Sequence, residues 1–244
     1  MTTSQKIGTT ELLFRSAQQM GLQPAWVIPN GVFAITDAGE EKYVNFGRSL
    51  NSQISASLTK NKYLTRLILA RHGLLNIPFS RPRTQAEAKA FLTTYKKIIA
   101  KPLSGSGAQD IHIITHATQL RDLNITKYIL EQYVAGREMR YLVLNGSVIG
   151  VHQSEYGTSV EEDRTLRRIS FPQSEWEPAM VTSSLQIAHI LNLTFGAIDY
   201  LVDDAGVAHI LEINSVPGLK WFHAPTSGPP VDVAHLLLKT MLTV

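Results

Sequence analysis

At 244 residues the chain is long enough to bury a sizeable core, either as one large domain or as two intimate subdomains. Apolar residues make up 44% and charged residues 18%, which excludes a disordered or fibrous chain, and the absence of cysteine excludes disulfides, thiolate metal sites and a cysteine nucleophile. The formal charge of +3 on scattered Lys and Arg does not point to nucleic acid; no apolar run is long enough to span a membrane and Met1 to Thr10 is polar, so neither spanning nor secretion is indicated and a cytoplasmic protein is expected.

Helix-period and strand-period segments alternate with no internal repeat, which predicts a mixed α and β fold. Thr10 to Met20 reads as a helix, Ala25 to Ile28 as a strand, and Val32 to Thr36 with Lys42 to Asn45 as a hairpin; Asn51 to Lys60 is polar and reads as a connector. Lys62 to Arg71 is helical, and Thr84 to Tyr95 opens on the capping box Thr84-Gln85-Ala86-Glu87. Strands follow at Lys97 to Lys101 and Ile111 to Thr115, then a short helix at His116 to Asp122, then strands at Tyr128 to Tyr133, Met139 to Leu144 and Ser147 to His152. Tyr156 to Arg168 is charged and fits no regular pattern; Glu177 to Leu191 and Val231 to Leu242 read as helices.

Between these last two helices lies the densest set of candidate ligands. Two β-rich runs flank Asp203-Asp204-Ala205-Gly206, and pairing them about Ala205-Gly206 sets Asp199 opposite Glu212. Asn214 lies two residues beyond Glu212 and so leaves the strand on the same face. Three hard oxygen donors suit Mg²⁺ completed by nucleotide phosphates and water, although Asp and Asn near strand ends also serve as turn caps.

Phosphate chemistry needs positive charge and backbone donors. Lys101 ends an apolar strand, and Pro102 leads through Leu103 into Ser104, Gly105, Ser106 and Gly107, whose amides can approach phosphate oxygens closely. The loop lacks the Gly-Lys-Ser/Thr ending of a Walker loop, and glycine loops between strands are also plain turns. Downstream, a polar elbow joins two strands. Backbone groups of Gln132, Tyr133 and Val134 can pair with an adenine edge, Glu138 can accept from ribose hydroxyls, and Arg140 can reach phosphate or a carboxylate by a forked contact; an ordinary hairpin with surface charges fits the same residues. Arg164, Arg167 and Arg168 form a cluster that either meets an anion or lies on a solvated loop, and Trp221 and Phe222 either wall a pocket or pack in the core.

Taken together, Asn61-Lys62-Tyr63-Leu64-Thr65-Arg66, Lys101 with its glycine loop, the elbow from Glu131 to Arg140, and Asp199, Glu212 and Asn214 before Pro217-Gly218 resemble, in order and spacing, the ATP-grasp superfamily of ligases. The likeness runs from about Thr59 to the C-terminus, and Pro217 to Phe222 with Val231-Asp232-Val233-Ala234 look most like RimK-type members. It implies an α+β ATP-grasp fold in which two α+β subdomains clasp ATP: residues 59–244, with the lysines and glycine loop in about 59–130 and the metal residues in about 131–244. The reduced helix and hairpin of residues 1–58 is similar to the ATP-grasp modules of cyanophycin synthetase and bifunctional glutathione synthetases. More loosely, His152-Gln153-Ser154 with Asp163-Arg164 resembles the peptide-crosslinking ATP-grasp ligases, which marks Arg164 as an anion contact.

The resemblance implies a carboxylate–amine ligase that forms an amide through an acylphosphate and releases ADP and phosphate. Its cofactors would be ATP with Mg²⁺, or Mn²⁺ in its place, on Asp199, Glu212 and Asn214; Lys101, Arg140 and Arg164 would assist catalysis; and Lys62, Lys101, Ser104 to Gly107, Glu131 to Val134 and Glu138 would hold the nucleotide. The partners would be small-molecule or peptide carboxylates and amines, without nucleic acid or membrane, and a homodimer is admitted. An ATP-grasp kinase or thiol ligase, and a non-catalytic nucleotide-binding module, are the alternative readings.

Overall fold

A computed structural model of the chain describes residues 8–45, 50–74, 77–104, 110–155 and 167–242. In chain order its elements are α1 (Thr9–Gln19), β1 (Ala25–Ile28), β2 (Val32–Asp37), β3 (Glu40–Val44), α2 (Gln53–Lys60), α3 (Lys62–Arg71), β4 (Phe79–Ser80), α4 (Gln85–Tyr95), β5 (Ile98–Pro102) and β6 (His112–Ile114). There follow β7 (Tyr128–Gln132), β8 (Arg137–Leu144), β9 (Ser147–Glu155), β10 (Arg167–Phe171), α5 (Pro178–Ile190), β11 (Phe195–Val202), β12 (Ala208–Asn214), α6 (Lys220–His223) and α7 (Val233–Leu242). The fold is α+β. Among the described residues three sheets have the strand orders β1-β2-β3, β4-β7-β5-β6 and β10-β9-β8-β11-β12.

The expected polar connector at 51–60 is instead largely helix α2. Ser52 Oγ accepts the Ser55 amide at 3.2 Å and so caps its first turn. Asn51, just before it, bonds the carbonyls of Phe195 and Ser215 and the amides of Thr194 and Phe195. Polarity in this stretch therefore reflects capping and bonding to distant backbone. The expected helix at 116–122 is a 3-10 turn over Ala117–Leu120. Of the charged stretch 156–168, residues 156–166 lie outside the described residues, and Arg167 opens β10. At the other expected hairpin the turn closes by Asp203 N–H to Val207 O at 3.1 Å and Gly206 N–H to Asp203 O at 2.9 Å, so the loop is longer than a two-residue turn at Ala205-Gly206. At α4, Thr84 accepts the Glu87 amide as expected, while Glu87 turns back to the Arg83 amide rather than to that of Thr84.

The described residues belong to two compact units. The first comprises Met1–Ser55, Met139–Ile198 and Asn214–Val244. Leu13 and Ala17, one helical turn apart on α1, are buried with Phe33, Ile35 and Val44 of the first hairpin, Leu142 and Leu144 of β8, and Leu237 and Leu238 of α7. Phe14 stacks on Trp26 at 4.2 Å between ring centroids.

The second unit comprises Ala56–Glu138 and Asp199–Ile213. Its sheet β4-β7-β5-β6 is antiparallel, with Ile99 opposite Glu131 and Lys101 opposite Ile129. Side chains alternate across the sheet, so Ile98, Ala100, Tyr128 and Leu130 share one face, and these pack with Ala88 and Leu92 of α4 into a core. Ile99, Lys101, Ile129 and Glu131 are thereby committed to the opposite face. Asn61 caps α3 by accepting the Leu64 amide at 3.1 Å, and Thr65, Arg66 and Leu69 form the buried stripe of that helix.

Candidate functional site

Most of the residues singled out from sequence fall within the second unit. Lys62 is the first residue of α3, its amide bonded to Leu103 O at 3.0 Å, and its ammonium lies 3.4 Å from Glu212 on β12. Lys101 is the penultimate residue of β5 and is buried. Its register puts it diagonal to Glu131 on the same sheet face. Lys101 Nζ meets Glu131 Oε2 at 2.7 Å, and Arg66 Nε meets Oε1 at 2.8 Å. Burial pushes the Glu131 carboxyl upward, but Arg66 and Lys101 pull it down to about 2, so it remains ionised.

The elbow after β7 is partly committed to its own backbone. Gln132 N–H donates to Pro78 O at 2.9 Å and Tyr133 N–H to Lys97 O at 3.1 Å, so two of the expected adenine-edge donors are bonded within the unit. The Lys97 ammonium sits 3.7 Å from the Tyr133 ring centroid. Val134 and Glu138 are half-buried. Ser104 is exposed, whereas Gly105, Ser106 and Gly107 lie outside the described residues, as does Arg164.

Asp199, on β11, is buried, and the Glu212 side chain is 40% exposed. Among the described residues no three His, Cys, Asp or Glu side chains gather as a metal-binding group. Two carboxylates nevertheless match the donor chemistry of Mg²⁺, which commonly takes one or two from the protein and the remainder from phosphates and water. Asn214 belongs to the first unit, and its side-chain oxygen accepts the Val216 amide at 2.8 Å. It caps the turn after β12, a role compatible with metal ligation because the amide oxygen has a second lone pair.

The first unit also holds Arg140, half-buried on β8. A polar patch that the sequence did not disclose lies on the neighbouring strands. Arg168 of β10 is opposite Ser154 of β9, and Ser170 is opposite His152, so all four share one face, and all four are buried. Phe222 lies 4.6 Å from the His152 ring, and the Arg168 guanidinium 6.0 Å from the Trp221 ring. Burial, followed by the charges of Arg140 and Arg168, pushes the His152 imidazole down to about 3 and keeps it neutral. His152 Nδ1 and Ser170 Oγ are buried without a hydrogen-bond partner among the described residues. Phe222 is thus a core residue as well as a wall of this face.

From sequence Arg66 and His152 stand in stretches that carry the family resemblance but receive no role of their own. Arg66 carried a signal, a cation at i+4 from Lys62 inside an apolar helical stripe. The grouping of His152 with Arg168 required the pairing of β9 with β10.

Residues 59–217 match the model of the ATP-grasp domain. A D-alanine–D-alanine ligase of Pseudoalteromonas translucida is 21% identical over 203 residues, covering 75% of this chain. The glutathione biosynthesis bifunctional protein GshAB of Listeria innocua is 32% identical over 115 residues, covering 42% of it. The chain spans 66% of the length of the first of these relatives and 15% of the second. Among solved structures, the macrocyclase MdnC of Microcystis aeruginosa, bound with precursor peptide MdnA, has the same fold with a TM-score of 0.71 at 14% identity, covering 99% of this chain and 97% of that one.

Proposed function

The chain belongs to the ATP-grasp family, and on that premise we propose that it is an ATP-dependent carboxylate–amine ligase. The observation supporting this reading is that Lys62, Lys101, the elbow from Glu131 to Val134, and the carboxylates of Asp199 and Glu212 belong to one compact unit. Cations for phosphate, a hinge for a base and hard oxygen donors are the set that phosphoryl transfer from a nucleotide requires.

A carboxylate is a poor electrophile. Its oxygen attacks the γ-phosphorus of ATP, the bond from that phosphorus to the β,γ-bridging oxygen breaks, and ADP departs, leaving an acylphosphate. An amine then adds to the carbonyl carbon, loses a proton, and expels inorganic phosphate to give the amide. Lys62 and Lys101 offset charge on the phosphates, Val134 offers the base edge its amide, and Glu138 accepts from ribose. Arg140 holds phosphate or carboxylate through its fork, with Arg164 a further candidate. Asp199, Glu212 and Asn214 would hold Mg²⁺ or Mn²⁺, which when bound neutralises phosphate charge. Among the described residues no helix is long and apolar enough to cross a membrane. A cytoplasmic enzyme, active as a homodimer, completes the reading; light scattering under assay conditions tests the dimer.

The experiment is incubation with Mg-ATP, pooled amino acids and small carboxylates, and hydroxylamine, followed by measurement of ADP and a mass search for hydroxamates. Hydroxylamine intercepts an acylphosphate, so a hydroxamate names the activated carboxylate. ATP binding without ADP or hydroxamate, after peptide carboxylates have also been offered, rejects the ligase reading in favour of a non-catalytic module.

A further inference from the structure

Glu131 carries two cations. Arg66 Nε lies 2.8 Å from Oε1, Lys101 Nζ lies 2.7 Å from Oε2, and all three residues are buried. One counter-charge suffices to balance a buried carboxylate, and Glu131 has two. The two cations are held differently. Besides Glu131, the Arg66 guanidinium donates to Ile210 O at 2.5 Å and Leu211 O at 2.9 Å, which fixes it from three directions. It is planar and does not lose its proton. Lys101 approaches along a flexible stem from the end of β5, immediately before Pro102 and the glycine-rich loop, and its ammonium is a compact charge with rotatable donors.

The geometry points to a division of roles in which Arg66 is the resident counter-ion of Glu131 and Lys101 is a releasable one, free to leave Glu131 for a nucleotide phosphate because Arg66 stays behind. The proposal rests on the reading of Lys101 as a phosphate contact given above. With Arg66 in place, departure of Lys101 leaves Glu131 still paired and hydrogen-bonded. Without Arg66, the same departure strands a buried carboxylate, so Lys101 is retained on Glu131 and withheld from the ligand. Arg66 is therefore a positioning residue that acts through Lys101. Its bonds to the carbonyls of Ile210 and Leu211 also tie α3 to the strand that carries Glu212.

The test is calorimetric binding of MgADP to the full chain in Lys101→Met, Arg66→Met, Arg66→Lys and the double variant Arg66→Met/Glu131→Gln, with folding followed by circular dichroism. Arg66→Met is expected to weaken binding about tenfold, and the double variant, which removes the carboxylate that traps Lys101, to bind at least about threefold more tightly than Arg66→Met. Arg66→Lys, which keeps the charge, is expected to stay close to the parent. If Arg66→Met fails to fold while the double variant folds and binds, the charge balance is likewise supported. A double variant that is no better than Arg66→Met, or an Arg66→Met that binds like the parent, overturns the proposal. Parent-like binding by Lys101→Met instead overturns the phosphate role of Lys101 on which the proposal stands.

Discussion

Lys62 Nζ, in the first turn of α3, lies 3.4 Å from Glu212 Oε1 on β12. The two residues expected to face phosphate and metal thus neutralise one another within one unit. With the Glu212 side chain 40% exposed, the pair contributes little to stability. Glu212→Ala is expected to abolish ADP formation while shifting unfolding by less than about 1 kcal/mol. Retained ADP formation would falsify the assignment of Glu212 as a metal ligand.

Asn51 makes four side-chain hydrogen bonds to backbone groups of Thr194, Phe195 and Ser215. Its removal leaves those groups to find new partners, at a cost of about 2 kcal/mol. Asn51→Ala should lower the urea midpoint accordingly, and Asn51→Asp should not restore it, because a carboxylate cannot donate to the Phe195 and Ser215 carbonyls. Unchanged midpoints in both would show that these bonds are dispensable.

Acid sensitivity follows from His152. Its folded pKa of about 3 lies below the ordinary 6.5, so between those values the unfolded chain binds a proton that the folded chain refuses, and stability falls as pH drops through that window. His223, also lowered by burial, acts in the same direction. Glu131 acts lower down: its contribution is complete above the ordinary 4.5 and is lost as pH falls towards about 2. A drop from pH 7.5 to 5.5 therefore reports on the histidines. His152→Gln should shrink the loss of urea stability between those two values, and an unaltered loss would point to other groups.

Gly228 has φ of +84°, and a Cβ built on it would lie 1.9 Å from Ser170 O, beside the bond from Ser170 N–H to Ser227 O at 2.9 Å. Gly228→Ala must push this segment off β10, with an expected loss of about 3 kcal/mol or more. Gly206, at φ +79° with nothing within 4 Å of such a Cβ, serves as the control, and its Ala variant should lose only about 1 kcal/mol. Equal melting temperatures for the two variants would contradict the steric argument.

Local features of the chain were legible without the fold. Asn61 before Lys62 and Thr84 before Gln85 announce helix starts because their side chains bond amides only three residues away. Ala25–Ile28 and the hairpin that follows carry β-rich residues around Asp37-Ala38-Gly39-Glu40. The ATP-grasp resemblance was likewise readable, since it consists of residue types in order along the chain. α2 was missed because Ser52 and Asn51 look like loop residues until their partners are known, and those of Asn51 lie more than a hundred positions away.

The sequence by itself determined most of the helices and strands, the family resemblance and the candidates Lys62, Lys101, Asp199 and Glu212, because propensity, capping and motif order are properties of near neighbours in the chain. Only the tertiary structure decided that Glu131 is held between Arg66 and Lys101, 65 and 30 residues away, and that His152 shares a buried face with Arg168. The reason is physical. What a charged side chain does depends on its burial and on the charges beside it, and both are set by strand register and packing, which the chain acquires only when distant segments meet.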